Sequence, residues 1–120
     1  MHQSFRELGV SPPVVDALTA RSIHEPFRIQ ALVLPDAVAG LDVLAKSPTG
    51  SGKTLAFGLP IVERTAPNSD RPSALVLVPT RELAAQVSAE LRSLARVKNL
   101  EVAVAYGGMP VVRGSRREQT

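Results

Sequence analysis

Ser11-Pro12-Pro13 sets an N-cap serine ahead of prolines suited to a first helical turn. Val14, Val15, Leu18 and Ile23 then form an apolar stripe that predicts a short helix running to about Arg21. A second helical pattern covers Ile29 to Ala39 and stops at Gly40, with Pro35 expected to kink or restart it. Asp42 to Lys46 reads as a short strand, and the glycine-rich SPTGSGKT, Ser47 to Thr54, joins it to the apolar, helix-compatible LAFGLPIVE. Pro67, Asn68, Ser69, Asp70 and Pro72 mark a turn before Ala74 to Val78, which is apolar at every position, as a parallel strand covered on both faces would be. Thr80 is suited to cap a helix whose Leu83, Val87, Leu91 and Leu94 share one face. Glu101 to Tyr106 predicts a third strand, halted by Gly107-Gly108, and MPVVRGSRREQT reads as the start of a helix.

Three strands that each lead into a helical segment imply an α/β fold: a parallel sheet with flanking helices, and ligands at the carboxyl ends of the strands. The loops at those ends, SPTGSGKT, PTREL and GGMP, are all unusual, so the chemistry points to one face of the sheet. No internal repeat, linker or low-complexity tract interrupts the pattern.

Composition narrows the class. The chain has 120 residues, 44% of them hydrophobic, which suits one domain at most with an ordinary aliphatic core. It has no cysteine and two histidines, which excludes disulfide frameworks and a structural zinc site. No apolar run approaches the ~18 residues that span a bilayer, and the start lacks the pattern of a secretory signal, so a cytoplasmic protein is the expectation. The net charge of +3 permits a polyanionic partner without demanding one. Arg113, Arg116 and Arg117 are read as a solvated helix start, and His24 as an exposed loop residue.

SPTGSGKT carries the sharpest chemistry. A phosphate cradle needs backbone N–H groups turned inward, which Gly50 and Gly52 permit through positive φ, and a helix N-terminus with its positive dipole end. Lys53 supplies charge to the β and γ phosphates, and Thr54 a hydroxyl ligand for Mg²⁺. The general phosphate-loop pattern has glycine where this chain has Ser47, while a dinucleotide fingerprint fails because its third glycine would fall at Leu55. A glycine-rich turn with an incidental Lys-Thr is the blander reading.

The whole chain resembles the amino-terminal part of the first RecA-like domain of DEAD-box RNA helicases, which would make it an incomplete P-loop NTPase domain. Phe5 with PFRIQ (Pro26 to Gln30) is similar to the Q motif, residues 5–30; SPTGSGKT resembles motif I, 47–54; PTRELAAQV resembles motif Ia, 79–87; Gly107-Gly108 resembles the GG element. Ser22 and Phe27 stand where that family usually has Gly and Thr or Ser, and Ser47 where it usually has Ala.

The resemblance implies that Ser47, Thr49, Gly50, Ser51, Gly52, Lys53 and Thr54 hold ATP, with Lys53 and Thr54 the catalytic members and Thr54 reaching Mg²⁺. It implies that Gln30 reads adenine, for which an amide with both donor and acceptor is suited, and that Phe5 covers the base. Phe5 as a core anchor for the first helix and Gln30 as a surface residue are the plainer alternatives. It also implies that Thr80, Arg81 and Gly108 contact the RNA backbone without reading sequence; an N-cap, a solvated arginine and a strand-ending turn are their structural counterparts. Glu82 suits the helix dipole and is assigned no chemistry.

Neither strand after the phosphate loop ends in an acidic residue, and the DEAD and SAT segments and the second RecA-like domain of that family are not found here. The expectation is a parent enzyme that couples ATP hydrolysis to RNA unwinding or remodelling, and a 120-residue segment that binds nucleotide weakly without turnover. A DNA helicase or translocase of the same superfamily, and a non-catalytic RNA-binding product, are the alternatives. An uncovered sheet edge would favour self-association.

Overall fold

A computed structural model describes residues 3–48, 52–67 and 72–106, together with the backbone of 112–113. The chain divides into two compact units, Met1–Thr65 and Ala66–Thr120.

The first unit holds three helices: α1 (Pro12–Ala20), α2 (Arg28–Val38) and α3 (Lys53–Arg64). Before α1, Ser4 and Glu7 form a reciprocal box. The Ser4 N–H donates to Glu7 Oε1 at 2.8 Å, and the Glu7 N–H donates to Ser4 Oγ at 3.2 Å. This turn carries Phe5, Leu8 and Val10 into the core. Ser11 stands at the N-cap position of α1, but its hydroxyl does not cap the helix. The Ser11 N–H and Oγ–H both donate to Glu63 Oε2, at 2.9 and 2.8 Å, so the entry to α1 is fastened to the end of α3.

Helix α1 ends in a Schellman motif: the Ser22 N–H donates to Thr19 O and the Ile23 N–H to Leu18 O, both at 2.9 Å. The left-handed position of that motif is filled by Ser22, with φ of 62°, a residue that bears the Cβ penalty glycine avoids. Helix α2 ends in the same way, with the Gly40 N–H on Ala37 O and the Leu41 N–H on Asp36 O, and here glycine takes the φ of 92°. Of the kink or restart expected at Pro35, the restart does not occur: α2 is continuous through it. One donor is forfeited, and the packing of Ile29 and Val33 against Ala56 of α3 holds the helix across it. Full burial of a valine or isoleucine side chain contributes about 1.5–3 kcal/mol, and Ile29 and Val33 are 8% and 7% exposed.

The second unit is built on α4 (Arg81–Ala95), with Thr80 at its N-cap accepting the Leu83 N–H at 3.1 Å. Val87, Leu91 and Leu94 are buried along the expected stripe, and Leu83 is half-buried. A 3₁₀ turn (Arg96–Lys98) follows, closed by Asn99 at φ of 58° with the Leu100 N–H on Ala95 O.

The strands differ most from expectation. Neither 42–46 nor 74–78 carries a backbone ladder among the described residues. Glu101 to Tyr106 forms only β1 (Ala103–Val104), which pairs antiparallel with β2 (Val112–Arg113). Residues 112–113 are therefore strand, not the helix start expected there, in keeping with the β preference of Val112. A parallel ladder needs neighbours on both sides and helices on both faces. Leu44, Leu75 and Leu77 are instead among the most exposed apolar residues.

Candidate nucleotide site and RNA-contacting strand ends

Helix α3 begins where the sequence places the end of a phosphate loop. Gly52 is its N-cap in the left-handed region, φ of 85°, and Lys53 and Thr54 are its first two residues. Lys53 is exposed and Thr54 half-exposed at the end where the free backbone N–H groups and positive dipole lie. Thr49, Gly50 and Ser51 lie outside the described residues, as does Gly108; Ser47 is half-buried on the segment entering the loop.

Gly52 meets α2 through Gln30. Gln30 is 2% exposed. Its Oε1 accepts the Phe27 N–H at 2.9 Å, one half of a capping box at the start of α2. Its Nε2 donates to Gly52 O at 3.1 Å. The amide thus has one acceptor site and one donor hydrogen engaged by backbone, from two segments of the unit. A Cβ on Gly52 would lie 2.4 Å from Gln30 Nε2 and 2.8 Å from Phe27 Cδ2, so only glycine fits between them. That close approach explains the third residue of the site, Phe27, whose ring lies beside the glycine while remaining 55% exposed. Phe27 lies within PFRIQ, where the resembled family usually has Thr or Ser, and its place three residues before Gln30 at a helix start is the signal the sequence offers.

Phe27 also borders an open cleft of about 430 Å³ lined by Arg28, Ile29, Leu32, Lys46, Ser47 and Pro48 as well. Gln30 and Lys53 are not among its lining residues. Phe5 is buried, its carbonyl accepting the Leu8 and Val10 N–H groups. His24 is exposed, and no group of acidic or histidine side chains able to hold a metal occurs among the described residues. No helix among those residues is long and apolar enough to cross a membrane.

In the second unit, Thr80 and Arg81 open α4. The threonine hydroxyl is engaged as a cap, and the exposed Arg81 guanidinium carbon lies 5.6 Å from the centroid of the Tyr106 ring. Tyr106 follows β1 and is half-buried. The sequence signal that could have singled it out is its place at a strand end, directly before Gly107-Gly108.

A left-handed glycine behind a helix that starts Lys-Thr is the local geometry that phosphate-binding helix starts share. The family model for DEAD/DEAH box helicases matches residues 27–119. The chain belongs to that family and corresponds to the amino-terminal part of its first RecA-like domain. It is 42% identical over 113 residues to the ATP-dependent RNA helicase dbp8 of Schizosaccharomyces pombe, covering 94% of this chain and 25% of that protein. It superposes on a DEAD box protein from the hyperthermophile Methanococcus jannaschii with a TM-score of 0.83 and 37% identity, covering 92% of this chain and 31% of that one. It also superposes on S. cerevisiae Dbp5 bound to RNA and ADP BeF3, with a TM-score of 0.75 and 33% identity, over 80% of this chain and 25% of that one. The chain thus spans about a quarter of the length of the curated relative it matches.

Proposed function

We propose that this chain is the ATP-binding and RNA-backbone-contacting segment of an ATP-dependent RNA helicase. The observation that carries the reading is the start of α3: a left-handed Gly52, an exposed Lys53 and an adjacent Thr54 at one helix N-terminus. These groups fit a nucleotide phosphate with its Mg²⁺, because they combine N–H donors, a mobile cation and a hydroxyl ligand. Lys53 attracts the β and γ phosphates, and Thr54 offers its oxygen to the metal. The bound Mg²⁺ would supply the Lewis acid that offsets phosphate charge. Ser47, Thr49, Gly50 and Ser51 complete the loop.

Gln30 is the adenine-reading residue of this proposal. Its remaining N–H and lone pair match the amino donor and ring-nitrogen acceptor on the adenine edge. The Phe5 ring, 2% exposed, fits its plainer role as a core anchor of the turn before α1. Thr80, Arg81 and Gly108 hold the sugar-phosphate backbone, a contact that carries no sequence information. The reading is supported by relatives whose names are those of ATP-dependent RNA helicases and by a neighbour bound to RNA and ADP BeF3.

The 120 residues contain no Asp-Glu-Ala-Asp run. Without an acidic strand end, turnover by this chain alone is negligible, and the unwinding reaction belongs to the whole protein. Titration of ATP and GTP against the wild type and Lys53→Ala, with and without Mg²⁺, tests the site. ATP should bind more tightly than GTP, and Lys53→Ala should weaken both. Equal affinity for the two nucleotides would sink the adenine-reading role. Comparing RNA with DNA of the same sequence separates an RNA helicase from a DNA translocase.

A second property is favoured by exposure. Leu75 and Leu77 are 81% and 83% exposed on a segment that carries no ladder among the described residues. An exposed apolar segment of this kind favours pairing with a second copy of the chain.

A further inference from the structure

We propose that Tyr106 is a positioning residue for Arg81, holding the guanidinium by its face so that its N–H edge meets an RNA phosphate. The inference rests on the reading of Arg81 as an RNA-backbone contact.

Arg81 is the first residue of α4, where the positive end of the helix dipole disfavours a cation. Glu82 beside it offsets part of that field. A bidentate contact with phosphate needs the guanidinium turned so that its N–H edge faces outward. The Tyr106 ring meets this need. Its centroid lies 5.6 Å from the guanidinium carbon, within the range of a cation–π contact. The ring is itself anchored, because it is half-buried and follows a strand whose partner is β2.

A ring takes the face of a guanidinium, whereas a phosphate recognises the N–H edge in a bidentate fork. The two contacts are compatible, and the first prepares the second. An aliphatic residue at 106 would fill the same space without attracting the cation. Tyr106 also directly precedes Gly107-Gly108 in the sequence, the second segment assigned to the RNA backbone.

The full chain is titrated with fluorescein-labelled oligouridylate at several salt concentrations, using wild type, Arg81→Ala, Tyr106→Leu, Tyr106→Phe and the Arg81→Ala/Tyr106→Leu double variant. Tyr106→Leu should bind about two- to fivefold more weakly, the range of an exposed cation–π contact. Tyr106→Phe, which keeps the ring, should bind like wild type. Arg81→Ala should weaken binding and reduce the salt slope by about 0.7. Tyr106→Leu should then cost nothing more on the Arg81→Ala background.

If Arg81→Ala is weaker and Tyr106→Leu is not, the positioning role fails while the RNA contact stands. If Arg81→Ala leaves affinity unchanged, the contact itself fails and the positioning role with it. Additive losses mean that the ring touches RNA directly, and a Tyr106→Phe variant as weak as Tyr106→Leu means that the hydroxyl acts; either overturns the proposal. The chain has one tyrosine and no tryptophan, so acrylamide quenching reads this ring without altering it. Arg81→Ala should raise the quenching constant in the free protein, and an unchanged constant would count against the contact.

Discussion

Gln30 Nε2 donates to the carbonyl of Gly52 at 3.1 Å, across 22 positions of sequence, while its Oε1 holds the Phe27 N–H. One buried amide therefore ties the start of α2 to the residue that starts α3. Gln30→Ala leaves the part-buried Gly52 carbonyl and Phe27 N–H without these partners, a loss of about 1–3 kcal/mol in urea unfolding. Gln30→Glu keeps the acceptor but sets a second oxygen against Gly52 O. Burial and that carbonyl favour the protonated acid, so its folded pKa lies above the unfolded value. This variant should approach wild-type stability at acid pH and lose ground as pH rises through the unfolded carboxylate range. A loss that does not change with pH would show that the second oxygen does not face Gly52.

Gly52→Ala tests the same contact from the other side. The left-handed conformation costs a residue with Cβ about 1–3 kcal/mol, and the new carbon would meet Gln30 and Phe27 inside contact distance. The variant should lose at least that much stability and most nucleotide affinity together. Retained ATP binding at near-normal stability would mean that α3 starts with a different backbone.

Ser22 gives the opposite sign. It sits at φ of 62° in the Schellman position that closes α1, where glycine carries no steric penalty. Ser22→Gly should raise stability by about 0.5–1 kcal/mol, less the added entropy of the unfolded chain, read as a higher urea midpoint at unchanged slope. A lower midpoint would show that the serine side chain makes a contact worth more than the strain.

Glu7 links the amino-terminal turn to pH. Its carboxyl is held below the ordinary range by the Ser4 N–H and then by the Ser4 hydroxyl. A depressed folded value contributes stability that is present above the unfolded pKa and is lost as pH falls through the folded one. Glu7→Gln should therefore narrow the gap to wild type as the medium is acidified below the usual carboxylate range. Unfolding midpoints for both proteins, followed from neutral to acid pH, check this.

The helices and the left-handed Gly52 at the start of α3 were legible because their signals are local. Ser11-Pro12-Pro13, Gly40 and Thr80 fix helix ends within a few residues, and Val87, Leu91 and Leu94 mark one face. The fastening of Ser11 to Glu63 was not legible, since nothing local distinguishes a capping hydroxyl from one donating 52 positions away. Gln30 is marked by its place in PFRIQ, but its burial against Gly52 depends on a tertiary approach that spacing does not encode. The strands were the weakest part. Continuous apolar runs such as Ala74 to Val78 report a preference for a two-sided burial that only neighbouring strands can supply. The same runs that predicted a parallel sheet therefore appear as exposed leucines.

Those leucines give the last prediction. Leu75 and Leu77 alternate with neighbours along an apolar segment, so one face of it presents two large side chains to water. Burying apolar surface gains about 25 cal/mol per Å², and unpaired backbone beside it adds a template for strand pairing. The chain should sediment with a weight average that rises with protein concentration. Leu77→Lys should shift this toward monomer, because a charged residue on an edge opposes pairing, while leaving the far-ultraviolet helix signal unchanged. The alternative, attraction between charged surfaces, would respond to salt instead. Association that weakens at high salt and is indifferent to Leu77→Lys would place the contact away from this edge.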